Sequence, residues 1–240
     1  MNRKRALSSD EKELKRELII RSAMDLFKHR DFLQIRMIDI AREAGVAKGT
    51  VFCYFKTKEE LFLECTRREF VRFFNVLNGS LGLIIEQSKT LDINGCINLC
   101  DTALDAAPFL VRLSSILNTI LEQNIDYDSA RNFKMFLHDS IRNSAPLLER
   151  AMPSVSGNGT FVFLGIHTIL VGLYQMTSPS PVVCQVYLNE SMPLFQLDFR
   201  ESFRAMLRTM LAGIAVTDGT VTDGSVMGNP GTYPGSFGDA

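Results

Sequence analysis

Apolar residues recur three and four positions apart along most of this chain, the spacing that places side chains on one face of an α-helix. The clearest examples are Leu14, Leu18, Ala23, Leu26 and Phe27, followed by Phe109, Leu113, Ile116 and Ile120. We find no convincing alternation of apolar and polar residues, the pattern of a half-buried strand. The 240 residues, 46% of them apolar, suffice to bury a core. We therefore predict an all-α protein of about nine helices.

Capping and turn residues divide this pattern into helices. Capping boxes at Ser8 and Thr57 predict a first helix that ends near residue 29 and a long helix that ends near residue 77. Two short helices are predicted between them, at residues 37–43 and 47–54. Turn-forming residues predict breaks at 78–80, 92–95, 106–108, 152–154 and 178–181.

Charge is distributed unevenly along the chain, although the formal net charge is only −1. Residues 1–75 carry seventeen basic and twelve acidic side chains, a net charge of +5. Residues 76–240 carry nine basic and fifteen acidic side chains, a net charge of −6. This asymmetry indicates two separate tasks, with the basic part facing an anionic partner.

The segment from Met37 to Phe55 has the spacing of a helix-turn-helix. Ala41 is small where two helices would cross, and Gly45 can supply the positive φ of the turn. The apolar positions of the pair are Ile40, Ala44, Val46 and Val51. A helix-turn-helix places its second helix in the DNA major groove, which makes double-stranded DNA the predicted anionic partner.

Residues 15–62 resemble the DNA-binding domain of the TetR (tetracycline-repressor-like) family of bacterial transcription regulators. The resemblance lies in Ala23-x-x-Leu26-Phe27, Ile40-Ala41-x-x-Ala44-Gly45-Val46, Lys48-Gly49-Thr50-Val51-Phe52-x-Tyr54-Phe55 and Lys58-Glu59-Glu60-Leu61. It implies an N-terminal three-helix DNA-binding domain followed by a larger helical domain for ligand binding and dimerisation. The second domain resembles the family by architecture only.

We expect four segments on this basis. They are a flexible basic arm at residues 1–10, a helix-turn-helix domain at 11–56, a ligand-binding and dimerisation domain at 57–215 and a disordered tail at 216–240. The tail is expected to be disordered because its Gly, Thr and Asp residues cannot offset chain entropy by burial.

Residues in the second motif helix suit contacts with DNA. Lys48 can bond a guanine edge or a phosphate, beside Gly49 and Thr50 in a first turn that favours phosphate. The alternative for Lys48 is a solvated lysine. Phe52 and Cys53 lie on the face that would meet bases, where Phe52 can press on a thymine methyl and Cys53 is only a weak donor.

Flanking residues supply further candidate contacts. Tyr54 and Lys58 resemble the family's contacts with the DNA backbone, although the Tyr54 hydroxyl could instead cap the local core. Ala47 stands where relatives often carry Ser or Thr, which costs about 1 kcal/mol of capping. Arg36 could compensate with a phosphate contact. The Arg3-Lys4-Arg5 triplet could reach a minor groove, but a loose charged terminus is the preferred interpretation.

Dimerisation is expected because one helix-turn-helix contacts too few base pairs for specific binding. The best candidates are the helices at 160–177 and 199–214, where Gly165 and Gly172 would permit close helix approach.

The apolar run at 161–176 is shorter than the roughly 20 residues that span a bilayer, so no membrane segment is expected.

The resemblance also implies a pocket for a small, largely apolar effector. Its apolar candidates are Phe109, Leu113, Leu117, Leu121, Met135, Phe136, Phe161, Phe163 and Met176, and its polar candidates are Asn118, His138, His167, Tyr174 and Gln175. Ordinary core packing is the alternative for each apolar residue and is preferred for any single one. For His167 the alternative is a hydrogen-bonded core histidine.

The cysteines and histidines predict neither an enzyme nor a metal protein. Five cysteines fit no disulfide framework and indicate a reducing cytoplasm. Cys96 and Cys100 lie one helical turn apart without a neighbouring His, so buried thiols are expected there rather than a metal or redox sensor. We expect no cofactor, and a small all-α enzyme is a distant alternative because no nucleophile and base pair up.

These observations predict a cytoplasmic, dimeric transcription regulator, most simply a repressor that an effector releases from its operator. The ligand would shift the long helix after Thr57 and so change the spacing of the two DNA-reading helices. The alternative is a DNA-binding regulator without an effector, whose C-terminal domain serves only dimerisation or protein docking.

Overall fold

A computed structural model describes residues 9–216 of the chain. Within this range we find ten α-helices, four short 3-10 helices and no strand, which confirms the all-α prediction with one helix more than expected. The α-helices are α1 (Ser9–Phe27), α2 (Met37–Glu43), α3 (Lys48–Tyr54), α4 (Lys58–Glu86), α5 (Ile93–Ala106), α6 (Leu110–Ser115), α7 (Tyr127–Ala151), α8 (Gly159–Thr177), α9 (Pro181–Asn189) and α10 (Phe199–Val216). The 3-10 helices are Phe32–Gln34, Leu121–Asn124, Pro153–Val155 and Pro193–Phe195. The predicted tail and the Arg3-Lys4-Arg5 triplet lie outside the described residues.

The break predicted at 78–80 is wrong, because α4 continues through it to Glu86. Inside a helix, glycine lowers the stability by about 1 kcal/mol relative to alanine, so Gly79 predicts a helix end from the sequence alone. Leu77 and Leu81 lie on either side of it and are almost completely buried. Burial of this apolar face outweighs the weak local propensity.

The break predicted at 92–95 is displaced toward the N-terminus. Helix α5 already begins at Ile93, and the Asp92 carboxylate accepts the backbone N–H of Gly95 at 2.7 Å. Asp92 thus caps the helix that its turn-forming neighbours were predicted to interrupt. The breaks predicted at 106–108, 152–154 and 178–181 are confirmed.

The chain folds into two compact units. Among the described residues, the N-terminal unit contains 9–75 and 103–139, and the C-terminal unit contains 76–102 and 140–216. Residues 103–139 therefore pack with α1, α2, α3 and the part of α4 up to Asn75, whereas the sequence predicts a domain boundary at residue 57.

Aromatic side chains form the centre of the N-terminal unit. The ring of Phe62 on α4 lies 5.3 Å from that of Phe27 and 5.1 Å from that of Phe32, both in edge-to-face geometry. Phe27 and Phe62 are at most 1% exposed. These contacts join α1, α4 and the 3-10 helix before α2, and so fix the base on which α2 and α3 rest.

Helices α8 and α10 form the main packing of the C-terminal unit. Their buried residues are Val162, Phe163, Ile166, Leu170 and Leu173 on α8 and Phe203, Leu207, Leu211 and Ile214 on α10. A Cβ added to Gly165 would collide with the sulfur of Met210, so the flexible end of that side chain would have to move. By length and composition alone α8 could also cross a membrane, with a mean hydropathy of 1.4, and core helices of soluble proteins meet the same criterion.

Candidate DNA-binding interface

The turn between α2 and α3 has the geometry of a helix-turn-helix. Gly45 adopts φ +63°, the left-handed conformation that favours glycine. The Val46 N–H donates to the Ala41 carbonyl at 3.0 Å and closes the end of α2. Ile40, Ala41, Ala44 and Val51 are at most 5% exposed, so the two helices meet through the small and apolar side chains that the sequence predicts.

The outer face of α3 is exposed and nearly uncharged. Lys48, Gly49, Phe52 and Cys53 are exposed, while Val51 on the opposite side is fully buried. The Lys48 ammonium lies 5.7 Å from the centre of the Phe52 ring, and the Cys53 thiol donates to the Gly49 carbonyl at 3.2 Å. Lys48 is thus the only charged side chain on α3, in the first turn, with an aromatic ring one turn further on.

Thr50, in the first turn of α3, and Ala47, just before it, differ in solvent exposure, and Ala47 is exposed. Thr50 is half-buried, and its N–H donates to the Ala47 carbonyl at 2.9 Å. Ala47 is the N-cap of α3 and offers no side-chain hydrogen bond to the helix. The first turn of α3 is therefore less firmly capped than it would be with Ser or Thr at this position.

Arg36 is held at the start of α2 by Asp39. Its Nε and Nη2 atoms lie 3.0 and 3.2 Å from the two carboxylate oxygens, in the forked geometry of a strong ion pair. These hydrogen bonds hold the pKa of Asp39 below its usual range and raise the pKa of Arg36. Asp39 thus orients the guanidinium. A phosphate can still reach it, because the Arg36 side chain is 72% exposed.

Lys58 turns into the N-terminal unit. Its ammonium donates to the Phe32 carbonyl at 2.7 Å and to the Ile35 carbonyl at 2.8 Å, and lies 3.9 Å from the Phe32 ring centre. Burial lowers the pKa of Lys58. Lys58 thus holds the segment before α2 in place, a role that the sequence analysis missed because both carbonyls lie more than twenty residues away.

Tyr54 at the end of α3 is half-buried in a crevice of roughly 290 Å³. Arg16, Glu64, Arg67 and Phe133 line the same crevice. The side chain therefore lies between the outer face of α3 and the interior of the unit, which keeps open both functions considered for its hydroxyl.

Ion pairs join α1 to α4 within the N-terminal unit. Arg68 pairs with Glu17 on α1 and, at 2.9 Å, with Glu64 on its own helix. Arg16 on α1 lies 3.4 Å from the same Glu64, which also accepts Arg67. The long sequence separation of α1 and α4 hid this network from pattern analysis.

The segment 103–139 contacts the end of α1 and the residues after it with polar groups. Arg112 on α6 donates to the carbonyls of Phe27 and Arg30 at the end of α1, pairs with Asp31 at 2.9 Å and lies over the Phe27 ring.

Two further polar contacts involve helix α4 and the residues just before it. The Phe109 N–H donates to the buried Glu69 carboxylate at 2.9 Å. Lys56, directly after α3, pairs with Asp126 at 2.7 Å.

The predicted effector residues fall into both compact units. Leu113, Leu117 and Leu121 are buried in the N-terminal unit, where Phe109 and Phe136 are half-buried and Asn118, Met135 and His138 exposed. In the C-terminal unit Phe163 is buried, Phe161, His167 and Tyr174 are half-buried, and Gln175 and Met176 are exposed. The pocket assignment stays a prediction.

The cysteines are free thiols. Cys65, Cys96 and Cys100 are buried, and Cys53 and Cys184 are exposed. Among residues 9–216 no group of three or more His, Cys, Asp or Glu side chains could hold a metal ion.

Two family models match this sequence. "Bacterial regulatory proteins, tetR family" matches residues 19–65, and "Tetracyclin repressor-like, C-terminal domain" matches residues 72–218, more than half of the chain. The chain belongs to the TetR family. It is therefore a transcriptional regulator and not an enzyme, in a family whose members bind DNA and typically dimerise.

Two individual relatives match the N-terminal part of this TetR-family protein. An uncharacterized HTH-type transcriptional regulator from Haemophilus influenzae is 42% identical over 57 residues, 23% of this chain and 30% of that protein. The HTH-type transcriptional regulator BetI from Agrobacterium fabrum is 39% identical over 54 residues, 22% of this chain and 26% of its own. The chain thus matches less than a third of the length of either relative.

A solved structure supports the fold over most of the chain. The crystal structure of a TetR-family transcriptional regulator from Mesorhizobium loti superposes with a TM-score of 0.52 and covers 85% of this chain and 96% of that one. The two sequences are 15% identical, so this likeness concerns the fold alone.

Proposed function

We propose that this TetR-family regulator is a cytoplasmic homodimer that represses transcription and leaves its operator when a small, largely apolar effector binds. The observation that carries the DNA-binding part is the outer face of α3, where Lys48, Gly49, Phe52 and Cys53 are exposed beside a buried Val51. Such a face fits a major groove, where side chains reach the base edges.

Each candidate contact has a distinct role in this proposal. Lys48 bonds a base edge or a phosphate, Phe52 packs on a thymine methyl and Arg36 binds a phosphate with its oriented guanidinium. Tyr54 contacts the DNA backbone with its hydroxyl group. Lys58 stays a predicted phosphate contact, which requires its ammonium to leave at least one of its two carbonyl partners.

Operator binding by Lys48→Ala tests the assigned face, with a duplex selected from random DNA by the wild-type protein. Loss of one charged contact to DNA is expected to weaken binding about tenfold or more at physiological salt, which corresponds to about 1.4 kcal/mol. Lys89→Ala is the matched control, since Lys89 is an exposed lysine in the C-terminal unit. If Lys48→Ala binds like the control, α3 does not meet DNA through this face.

The proposed dimer forms through the outer faces of α8 and α10. These faces form an open groove of roughly 710 Å³ lined by Phe161, Leu164, Gly165, Thr168, Ile169, Ala205, Met206, Thr209 and Met210. The lining residues carry no charge, and Leu164 and Met206 are each 44% exposed. An apolar helix-pair surface of this kind suits the same surface of a second copy.

Sedimentation velocity tests this interface. A charge placed in it by Met206→Asp is expected to yield monomers, because two unpaired carboxylates would be buried near the symmetry axis. Leu83→Asp, at an exposed leucine of α4, is the control. A Met206→Asp protein that dimerises like wild type would place the interface elsewhere.

Support for the effector comes from the family match of residues 72–218 and from the apolar candidates described above. To weaken operator binding a thousandfold, the effector needs about 4 kcal/mol of coupling to the DNA-incompetent state. A thermal-shift screen of small apolar compounds tests this, since a ligand at a hundred times its Kd adds about 2.7 kcal/mol of stability. If no compound both stabilises the protein and weakens operator binding, the effector-free alternative holds.

A further inference from the structure

Helix α3 offers few hydrogen-bonding side chains to a base pair. Its sequence is Lys-Gly-Thr-Val-Phe-Cys-Tyr, which contains no Arg, Asn, Gln, Asp or Glu. Together with Lys, these residue types form the specific side-chain pairs with guanine, adenine and cytosine edges in the major groove. On α3 only Lys48 belongs to this group. Such pairs from α3 can therefore specify little of an operator beyond one guanine.

The other polar side chains of α3 are less available to bases. The Cys53 thiol, a weak donor, is already bonded to the Gly49 carbonyl at 3.2 Å within the helix. Thr50 and Tyr54 carry hydroxyl groups, but both residues are half-buried. Neither hydroxyl therefore belongs to the fully exposed side of the helix.

Phe52 is the largest exposed side chain on α3. It is 44% exposed, although phenylalanine is among the residues that proteins most often bury. The Lys48 ammonium lies 5.7 Å from the centre of its ring, within the range in which a cation attracts an aromatic ring. Lys48 and Phe52 thus form one surface, in which the ring has a defined place beside the charge.

The group that suits an exposed phenyl ring in the major groove is the methyl group at C5 of a pyrimidine. Thymine presents this methyl to the groove, and apolar side chains pack on it. The contact removes apolar surface of both partners from water. Base pairs stack about 3.4 Å apart. A ring centre 5.7 Å from the ammonium would therefore meet a base pair one or two steps from the contact of Lys48.

We propose that operator binding by this protein depends on the C5 methyl group of a pyrimidine in each half-site, and that Phe52 recognises this methyl. The proposal rests on the DNA-binding face of α3 proposed above. It makes Phe52 the specificity-determining residue of α3 for that base pair, where a hydrogen-bonding side chain would otherwise serve. Thymine and 5-methylcytosine both supply the methyl group.

Operator duplexes with single altered bases test the methyl directly. The starting duplex is one that the wild-type protein selects from random DNA. Deoxyuridine in place of thymine, at one position of each half-site at a time, removes the methyl and leaves base pairing unchanged. Because burial of one methyl contributes about fourfold to affinity, the loss of two should weaken binding to a dimer about fifteenfold. Fluorescence anisotropy at constant salt measures the change.

Substitutions of Phe52 assign the contact to this residue. Phe52→Ala should weaken binding of the thymine duplex and should bind the thymine and uracil duplexes within about twofold of each other, because the ring that meets the methyl is gone. Phe52→Leu keeps an apolar side chain and should retain part of the difference. Leu83→Ala, at an exposed leucine of α4, is the control and should retain all of it. Circular dichroism of each variant should match that of the wild type, since both side chains are exposed.

Cytosine and 5-methylcytosine at the same position identify the source of the methyl. The duplex with 5-methylcytosine should bind the wild type about fifteenfold more tightly than the duplex with cytosine, since the two differ only in the methyl groups. Tighter binding of thymine than of 5-methylcytosine would make thymine the natural source. The opposite order would make it methylated cytosine.

The outcomes separate methyl recognition from the DNA-binding face on which it rests. If uracil weakens binding at no position while Lys48→Ala does weaken it, α3 meets DNA as proposed and methyl recognition is wrong. If uracil weakens binding of the wild type and of Phe52→Ala equally, another residue contacts the methyl and the role of Phe52 is wrong. A wild-type protein that selects no duplex from random DNA overturns both proposals.

Discussion

Two basic residues near the DNA-reading helices show how differently one charge can be used. Arg36 keeps an exposed guanidinium and pairs with Asp39 three residues on, one helical turn away, a pairing that the sequence analysis did not predict. Lys58 places its ammonium on the carbonyls of Phe32 and Ile35, which no local pattern reveals. The role of Gly45, by contrast, could be predicted from the sequence, because it depends only on the φ angle of that residue.

Substitution of Lys58 is expected to affect folding as well as DNA binding. Lys58→Ala removes a charged donor from two carbonyls, and hydrogen bonds to charged groups contribute about 1.5–3 kcal/mol, less where water can replace them. We expect a loss of about 1–2 kcal/mol in the free energy of unfolding, measured by urea denaturation without DNA. Lys12→Ala, an exposed lysine of α1, serves for comparison. Equal stability of both proteins would mean that Lys58 is not a structural residue.

Helices α1 and α4 show which elements a sequence specifies and which features need the fold. The starts of α2 and α3 follow from local spacing and that of α4 from the capping residue Thr57, whereas the extent of α4 depends on the burial of Leu77 and Leu81. The ion pairs between Arg68 and Glu17 depend on the packing of two helices that are remote in sequence. Tertiary packing, not local propensity, decides both.

An alanine at Gly79 is expected to stabilise α4. A Cβ there would meet nothing within 4 Å, and the residue is helical, so Gly79→Ala should add about 0.5–1 kcal/mol to the free energy of unfolding. Gly45→Ala has equally open space but must adopt φ +63°, and should cost about 1 kcal/mol instead. Chemical denaturation of both variants checks the difference in sign.

The α1–α4 ion pairs predict a dependence of stability on pH. The hydrogen bond from Arg68 lowers the pKa of Glu17, and the bonds from Arg67 and Arg68 lower that of Glu64 against an opposing effect of burial. Carboxylates whose pKa falls on folding stabilise the protein above their unfolded value, near 4.5, and lose this contribution as the pH falls below it.

Arg68→Met tests this dependence. At pH 7 the variant should lose about 1 kcal/mol, a modest value because the pairs are partly exposed. Unfolding curves between pH 3 and 7 should show the difference from wild type shrink toward acid pH. A difference that is constant over this range would assign it to lost packing of the arginine rather than to the charges.

At the scale of the whole molecule, basic and acidic residues are concentrated in different parts of the chain, although the net charge is only −1. The basic part coincides with the family match at residues 19–65, and the acidic part with that at 72–218. The sequence therefore predicted the order of domains, but not that residues 103–139 pack with the DNA-binding helices. That association depends on long-range contacts such as those of Arg112.

This charge division bears on the salt dependence of operator binding. With phosphate contacts confined to the DNA-binding face, about three per subunit, the logarithm of the binding constant should fall with the logarithm of salt concentration with a slope near −5 for a dimer. Filter binding between 50 and 200 mM salt measures it. A slope beyond about −10 would require contacts from the acidic part as well.

The absence of Lys and Arg from residues 151–199 also determines how the protein is cut by proteases. Trypsin, which cleaves after these two residues, leaves α8, α9 and the start of α10 in one peptide of 50 residues, from Ala151 to Arg200. Chymotrypsin, by contrast, has sites at Tyr187, Leu188 and Phe195. The rate of chymotryptic cleavage at these sites therefore reports how accessible the segment from Pro181 to Phe195 is to a protease.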